Sequence, residues 1–301
     1  MDKTDRSRHR DLTRRAFVQR GALVLAGSAL AGASGLAAAD TAGGRPKVRV
    51  GLVTDLHYAD KPPAANRYYR ETVRKLAEAA KRFEEERTDL AVELGDVVDS
   101  ADSLEVEKGY VRRIVTEFAA LPGQQHFVLG NHCAYSLTKP EFLEIVGRER
   151  SYYSFDLGGY HFVVLDACFR KDGQPYGRRN FAWTDSSIPG AEVEWLRSDL
   201  KQTRKKSILF VHQRLDATPP YSVQNAPEIR KVLEESGKVA AVLQGHEHKG
   251  DYKEIAGVHY VTLAAMVEGT GAENNAYAVM DILPGDVIRI RGFGKQKNRM
   301  G

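Results

Sequence analysis

Acid, amide and imidazole side chains recur in this chain as short clusters, each behind an apolar run. The clusters are Asp55-Leu56-His57, Gly95-Asp96, Gly130-Asn131-His132, Val211-His212 and Gly245-His246-Glu247-His248. Their oxygen and nitrogen donors suit Mn, Fe, Zn or Ni ions. Each cluster stands where a strand hands over to a loop, so together they point to a hydrolytic metal centre.

Residues two apart project to the same side while strand geometry persists, so Asp55 and His57 can share one ion. The two oxygens of Asp96 can bridge two cations and hold them ~3.5–4 Å apart. Asn131 offers a neutral amide oxygen to the second ion. Beside it, His132 would point over the substrate as an imidazolium, stabilising phosphoryl charge and protonating the leaving oxygen. His246 and His248 flank Glu247 and can reach one ion each, with Glu247 facing away. Alone, each fragment also reads as a turn cap or a polar strand end; their order and strand-end placement distinguish them. Asp99 is expected to cap or support rather than ligate. His9, His126, His161 and His259 are expected to be structural or exposed.

These residues need a scaffold, and apolar runs alternate with amphipathic stretches as in an α/β sandwich. Strands are expected at 48–53, 90–94 and 126–129. A helix at 67–87 would turn Val73, Leu76, Ala77, Ala80 and Phe83 to one face. A second helix, 104–121, has Asp102 or Ser103 to cap it and Ile114, Val115 and Phe118 facing inward. Segments 152–157 and 160–165 flank Gly158-Gly159, a hairpin signal. A long polar loop, 171–190, carries Tyr176, Phe181 and Trp183, and loops of that length are often functional. Helices at 191–203 and 227–236 and strands at 207–211, 239–244, 257–263, 276–283 and 287–291 complete the pattern. No internal repeat or low-complexity linker follows Asp40, which predicts one domain, 40–301.

The first 39 residues differ in kind. Thr13-Arg14-Arg15-Ala16-Phe17-Val18-Gln19 precedes a weakly apolar stretch and Ala37-Ala38-Ala39, which resembles a twin-arginine signal cleaved after Ala39. An N-terminal helix is the plainer alternative. A membrane span is disfavoured, because Gly21, Gly27, Ser28, Gly32, Ser34 and Gly35 interrupt a stretch already short of ~20 strongly apolar residues. The expected location is periplasmic or secreted, with the twin-arginine machinery as export partner and no stable membrane span after cleavage. Residues 1–39 hold seven of the 44 Lys and Arg and three of the 40 Asp and Glu, leaving 37 of each. The pI of about 8.9 therefore reflects the leader, and no nucleic-acid or membrane-surface partner is implied. Cys133 and Cys168 imply no disulfide framework and read as two small, partly buried residues.

The ordered clusters resemble the calcineurin-like metallophosphoesterase superfamily from residue 48 to about residue 248. That resemblance implies a four-layer α/β sandwich, two mixed β-sheets packed face to face and flanked by helices. It implies two divalent ions, Mn favoured, with Asp55, His57 and His248 on the first, Asp96 bridging, and Asn131, His212 and His246 on the second. A metal-bound hydroxide would attack phosphorus in line while His132 aids the leaving group. Tyr58-Ala59-Asp60, Arg67-Tyr68-Tyr69-Arg70, Gly257-Val258-His259-Tyr260-Val261-Thr262-Leu263 and Asn298-Arg299-Met300 are similar to Mn-dependent ADP-ribose/CDP-alcohol diphosphatases and their exported bacterial relatives. On that footing Arg67 or Arg70 would pair with phosphate and Tyr68 or Trp183 would stack on the base of a small nucleotide-like substrate.

One departure stands out. The family usually places an acid directly after Gly-Asn-His, and this chain has Cys133, so Asp99, Glu141 or a backbone carbonyl must support His132. The expected function is an exported dinuclear-metal phosphohydrolase acting on phosphodiester or nucleoside-diphosphate-type bonds. A phosphomonoesterase is the runner-up. A non-catalytic scaffold is disfavoured because all seven ligand positions and His132 are present.

Overall fold

The computed structural model describes residues 46–296 and the backbone of two short segments before them. Those segments, β1 (Ala16–Gln19) and β2 (Ala22–Leu25), form an antiparallel hairpin. The Arg14-Arg15 pair and the expected cleavage site lie outside the described residues.

The first sheet begins with β3 (Val48–Val53), β4 (Leu90–Glu93) and β5 (Gln124–Phe127), parallel neighbours in that order. Helices α1 (Thr72–Glu86) and α2 (Leu104–Ala119) make the crossovers, as parallel strands require. After α3 (Lys139–Ile145), the chain enters the second sheet through the hairpin of β6 (Tyr153–Leu157) and β7 (Tyr160–Val164). Parallel pairing continues through β8 (Ser207–Phe210) and β9 (Val239–Gln244), connected by way of α4 (Gly190–Gln202) and α5 (Ala226–Ser236). A second hairpin, β10 (Lys249–Ile255) with β11 (Val258–Ala264), ends with β11 parallel to β9. The chain then returns to the first sheet, where β12 (Ala276–Leu283) lies antiparallel to β3, and β13 (Val287–Gly294) carries β2 on its outer edge.

Alternate residues of the two sheets face each other across the central core. Val48, Val50 and Leu52 of β3 and Leu90 and Val92 of β4 meet Phe162, Phe210 and Leu243 of the opposite sheet. The other faces of the same strands are apolar too, because helices cover them. Val53 and Ala91 pack under α1 and α2 with Phe83, Ile114 and Phe118. Val163, Leu209 and Val242 pack under α4 and α5 with Leu196 and Ile229. The result is the expected pair of mixed sheets flanked by helices.

Several boundaries move. The first helix starts at Thr72, because Tyr69–Glu71 forms a separate 3-10 turn. Ala77 is exposed and Ala79 takes its place in the core; at about 100° per residue Ala79 falls within about 60° of both Leu76 and Phe83, whereas Ala77 lies about 100° or more from each. Ser103, not Asp102, caps α2 by accepting the Val106 N–H. Among residues 46–296, the helix α3 and the strand β10 were not expected. The strand β10 is mostly charged and half exposed, KGDYKEI, so it carries no apolar signal and is specified by pairing with β11.

Candidate metal centre

All five clusters leave the C-terminal ends of parallel strands, β3, β4 and β5 in one sheet and β8 and β9 in the other, where α/β folds place their ligands. The loops after β3 and β4 run together, with Asp55 N–H on the Gly95 carbonyl at 3.0 Å and His57 N–H on the Asp96 carbonyl at 2.8 Å. The backbone there is strained. Asp55, His57, Asp96 and His246 all hold positive φ, between 44° and 70°, a conformation that costs non-glycine residues about 1–3 kcal/mol each. Two motif glycines have a steric reason as well. A Cβ on Gly130 would collide with the Asp96 backbone N and carboxylate, and one on Gly245 would strike the Thr54 hydroxyl and come within 2.8 Å of Asp55 Oδ2.

The acids are half tethered and half free. Asp55 Oδ2 accepts from the Thr54 hydroxyl (2.7 Å) and the His246 N–H (3.1 Å). That leaves Oδ1 facing His248 Nε2 at 3.4 Å and His57 Nε2 at 3.6 Å. Asp96 Oδ1 accepts the His132 N–H at 2.7 Å, while Oδ2 sits 3.2 Å from His212 Nε2 and 3.6 Å from His57 Nε2. His212 Nδ1 lies 2.8 Å from the Leu94 carbonyl and His248 Nδ1 2.6 Å from Glu268 Oε1, so each turns Nε2 inward. Three overlapping groups result, Asp55/His57/His248, His57/Asp96/His132 and Asp96/His212/His246, with donor atoms within 4.8 Å inside each group.

Asp55 Oδ1, His57 Nε2, Asn131 Oδ1 and His212 Nε2 are buried without a hydrogen-bond partner. Buried polar atoms left that way cost about 1–3 kcal/mol each. A mixed oxygen and imidazole set of this kind fits two divalent ions. The electrostatics agree. Burial opposes ionisation of Asp55, yet the neighbouring His248, His57 and His212 rings hold it well below the usual carboxylate range. Burial likewise opposes the charge on His212 and His248, but Asp96 and Asp55 hold them up at about 9. Burial takes His246 down to about 3. Imidazolium charge thus balances the carboxylates where cations would. Glu93 beneath them is pushed well above its ordinary value by burial and adds little negative charge.

Asp99 turns a carboxylate toward His132, where Cys133 offers none. Its Oδ1 is 3.7 Å from His132 Nδ1 and its Oδ2 3.5 Å from His57 Nδ1, while Lys61 and Arg67 pair with it at 3.1 and 3.2 Å. Glu141 is engaged elsewhere, with Thr138, Arg178 and Lys108. Burial outweighs the pull of Asp96 and Asp99 and lowers His132 to about 4. Cys133 and Cys168 are both buried free thiols.

Above the ligands opens a cleft of about 860 Å³, with Arg67, Tyr135, Phe181, Trp183 and Tyr221 on its walls. The loop between β7 and α4 folds on itself, stacking Tyr176 on Phe181 at 3.5 Å, and so presents Phe181 and Trp183 to the cleft. Trp183 lies 5.6 Å from both His246 and Tyr221. Of the four expected substrate contacts, Arg67 and Trp183 line this space. Arg70 does not; it is exposed and paired with Asp60 at 2.6 Å. Tyr68 is also absent from the lining, its backbone N–H bound to the Val267 carbonyl at 2.9 Å just before the 3-10 turn. Glu247 turns from the ligands to Arg214. His126 meets the Tyr153 hydroxyl, His161 sits between Asp156 and Asp199, and His259 meets the Tyr252 hydroxyl. Glu268, Tyr135 and Tyr221 were not foreseen: Glu268 follows β11 with no motif beside it. Asn298-Arg299-Met300 lies outside the described residues.

Five strand-end clusters, two facing sheets and overlapping acid and imidazole groups define a dinuclear metallohydrolase. The chain belongs to the calcineurin-like phosphoesterase family, whose model matches residues 48–250, and is a metal-dependent hydrolase. Among its relatives is a manganese-dependent ADP-ribose/CDP-alcohol diphosphatase of Oryza sativa subsp. japonica, 25% identical over 278 residues, 75% of this chain and 87% of that protein. The protein of the same name in Xenopus laevis is 24% identical over 326 residues, 84% of this chain and 90% of the relative. A crystal structure of a dimetal phosphatase from Danio rerio shares the fold at a TM-score of 0.74, with 22% identity over 84% of this chain and 98% of that one.

Proposed function

We propose that the protein is an exported hydrolase of small nucleoside-diphosphate-type substrates, ADP-ribose and CDP-alcohols among them, with Mn in both metal positions. The observation that carries this reading is Asp96 Oδ2, placed between His57 Nε2 and His212 Nε2 at the floor of an aromatic-walled cleft. The relatives named for such substrates add support.

When bound, two divalent ions polarise the phosphoryl oxygens and activate water. The chain does the rest. Asp55, His57 and His248 would hold one ion and Asn131, His212 and His246 the other, with Asp96 serving both. Arg67, anchored by Asp99, offers its remaining N–H groups to a phosphate oxygen. Trp183 and Tyr221 present apolar faces to a base. His132, with Nδ1 toward Asp99, keeps Nε2 for the leaving oxygen, and an incoming phosphate anion favours the protonated ring.

The test compares ADP-ribose, CDP-choline, bis-p-nitrophenyl phosphate and p-nitrophenyl phosphate across Mn, Zn, Fe and Ni. Fastest turnover of the diphosphates with Mn is expected; a strong preference for the monoester would overturn the ranking. Export rests on Arg14-Arg15 and the small-residue stretch to Ala39. Replacing both arginines by lysine is expected to retain the protein in the cytoplasm, and unaltered export of that variant would remove the twin-arginine assignment.

A further inference from the structure

Lys75 is 1% exposed in the first turn of α1, beside the core residues Leu76 and Ala79. The three N–H groups of its ammonium are shared among four backbone carbonyls, Met266 at 2.8 Å, Glu268 at 3.1 Å, Gly269 at 2.6 Å and Asn274 at 3.3 Å. The Asn275 amide returns the tie by donating to the Lys75 carbonyl at 2.9 Å. All four acceptors belong to the one turn that leaves β11 beside the metal centre, whose only regular structure is the 3-10 turn Ala272–Asn274. Burying an ammonium among neutral carbonyls is costly, and an apolar side chain of that length would fill the space without the cost. What the cation adds is a fixed path for the turn.

That path ends on a metal-site histidine. Glu268 Oε1 is 2.6 Å from His248 Nδ1, its Oε2 accepts from Asn66 at 2.8 Å, and Lys295 reaches its carbonyl at 2.5 Å. We infer that Lys75 is a positioning residue for His248, acting through Glu268, and sets the affinity of the ion shared by Asp55, His57 and His248. The inference rests on the metal assignment proposed above. Without the ammonium, the Met266, Gly269 and Asn274 carbonyls lose their donor, the Glu268 carbonyl keeps only Lys295, and the turn relaxes. Glu268 then no longer orients His248, and loss of such a partner lowers metal affinity by about 10–100-fold.

Mn titration of the metal-free protein, followed by the paramagnetic signal of free Mn, separates the two levels. Failure of the wild-type chain to bind two ions overturns the metal assignment itself. Given two ions, Lys75→Met and Glu268→Gln are each expected to weaken one binding step by about 10–100-fold and spare the other. Because both act along one path, the double variant is expected to lose no more than Glu268→Gln alone. A folded Lys75→Met with both steps at wild-type affinity overturns the inference, as do losses that multiply in the double variant. Lys75→Gln keeps two of the three donors, so it serves where Lys75→Met does not fold: an intermediate loss supports the inference and wild-type affinity overturns it.

Discussion

Asp99 Oδ1 approaches His132 Nδ1 to 3.7 Å from the loop after β4, while the position that follows His132 is the buried thiol of Cys133. The same carboxylate lies 3.5 Å from His57 Nδ1 through its other oxygen. One acid therefore faces both the proposed proton donor and a proposed ligand, its charge near each ring with no direct hydrogen bond to either. Asp99→Asn is expected to lower kcat and to weaken Mn binding together, each by about 10-fold or more. Steady-state kinetics beside Mn titration check this, and a variant that loses only one of the two would show that the carboxylate serves a single ring.

His132 is expected to separate these effects. His132→Ala should lower kcat by about 10²–10⁴-fold, the usual worth of a positioned proton donor, and leave two Mn ions bound. Activity equal to wild type would remove His132 from the reaction.

Gly245 is packed so closely that an added methyl would strike the Thr54 hydroxyl. Gly245→Ala is expected to destabilise the fold by about 1–3 kcal/mol, as overpacked sites do, and to blunt stabilisation by Mn because Asp55 is displaced. Thermal melts with and without Mn read both effects. Melts that coincide with wild type under both conditions would mean the loop adjusts freely.

Chelation should abolish hydrolysis and added Mn restore it. At free Mn of about 100 times Kd, the folded state gains about 2.7 kcal/mol per independent site, or a melting point higher by about 5–10 °C for a chain of this size. An unchanged melting point on adding Mn would contradict the buried unpartnered donors of the site.

His161 gives a pH signature away from the metals. Its Nε2 is 2.7 Å from Asp199 and its Nδ1 2.8 Å from Asp156. The hydrogen bond with Asp199, then that with Asp156, raise its pKa above 6.5 against burial. A raised folded pKa means that the stabilisation is complete below about pH 6.5 and fades as pH climbs through the folded value. His161→Leu is expected to cost about 1.5–3 kcal/mol at acidic pH, where both bonds are to a charged ring, and less at alkaline pH. Urea unfolding at both pH values decides; a constant difference would assign the loss to packing.

Ligand candidates were legible because each stands at the end of an apolar strand, and strand ends survive in sequence as composition. The cleft was only partly legible. Trp183 stood out in a long polar loop. Tyr221 did not, because nothing local says that the loop after β8 bends toward His246. Tyr68 and Arg70 misled for the opposite reason: they adjoin Arg67 in sequence, but the 3-10 turn Tyr69–Glu71 leads Arg70 outward to Asp60. Glu268 was invisible, since its role depends on His248 twenty residues earlier and on Lys75 in a distant helix. Contacts set by tertiary docking leave no periodic trace.

The two sheets divide the donors between them. Asp55, His57, Asp96 and Asn131 hang from β3, β4 and β5, whereas His212, His246 and His248 hang from β8 and β9. Under the proposed assignment each ion touches both halves, so an unfolded chain offers at most the local pairs Asp55/His57 and His246/His248 and no complete site. Metal choice is then made at the moment and place of folding. If the leader carries the chain across a membrane already folded, the ion in the finished enzyme records the metal supply of the compartment it left, whatever the metals outside.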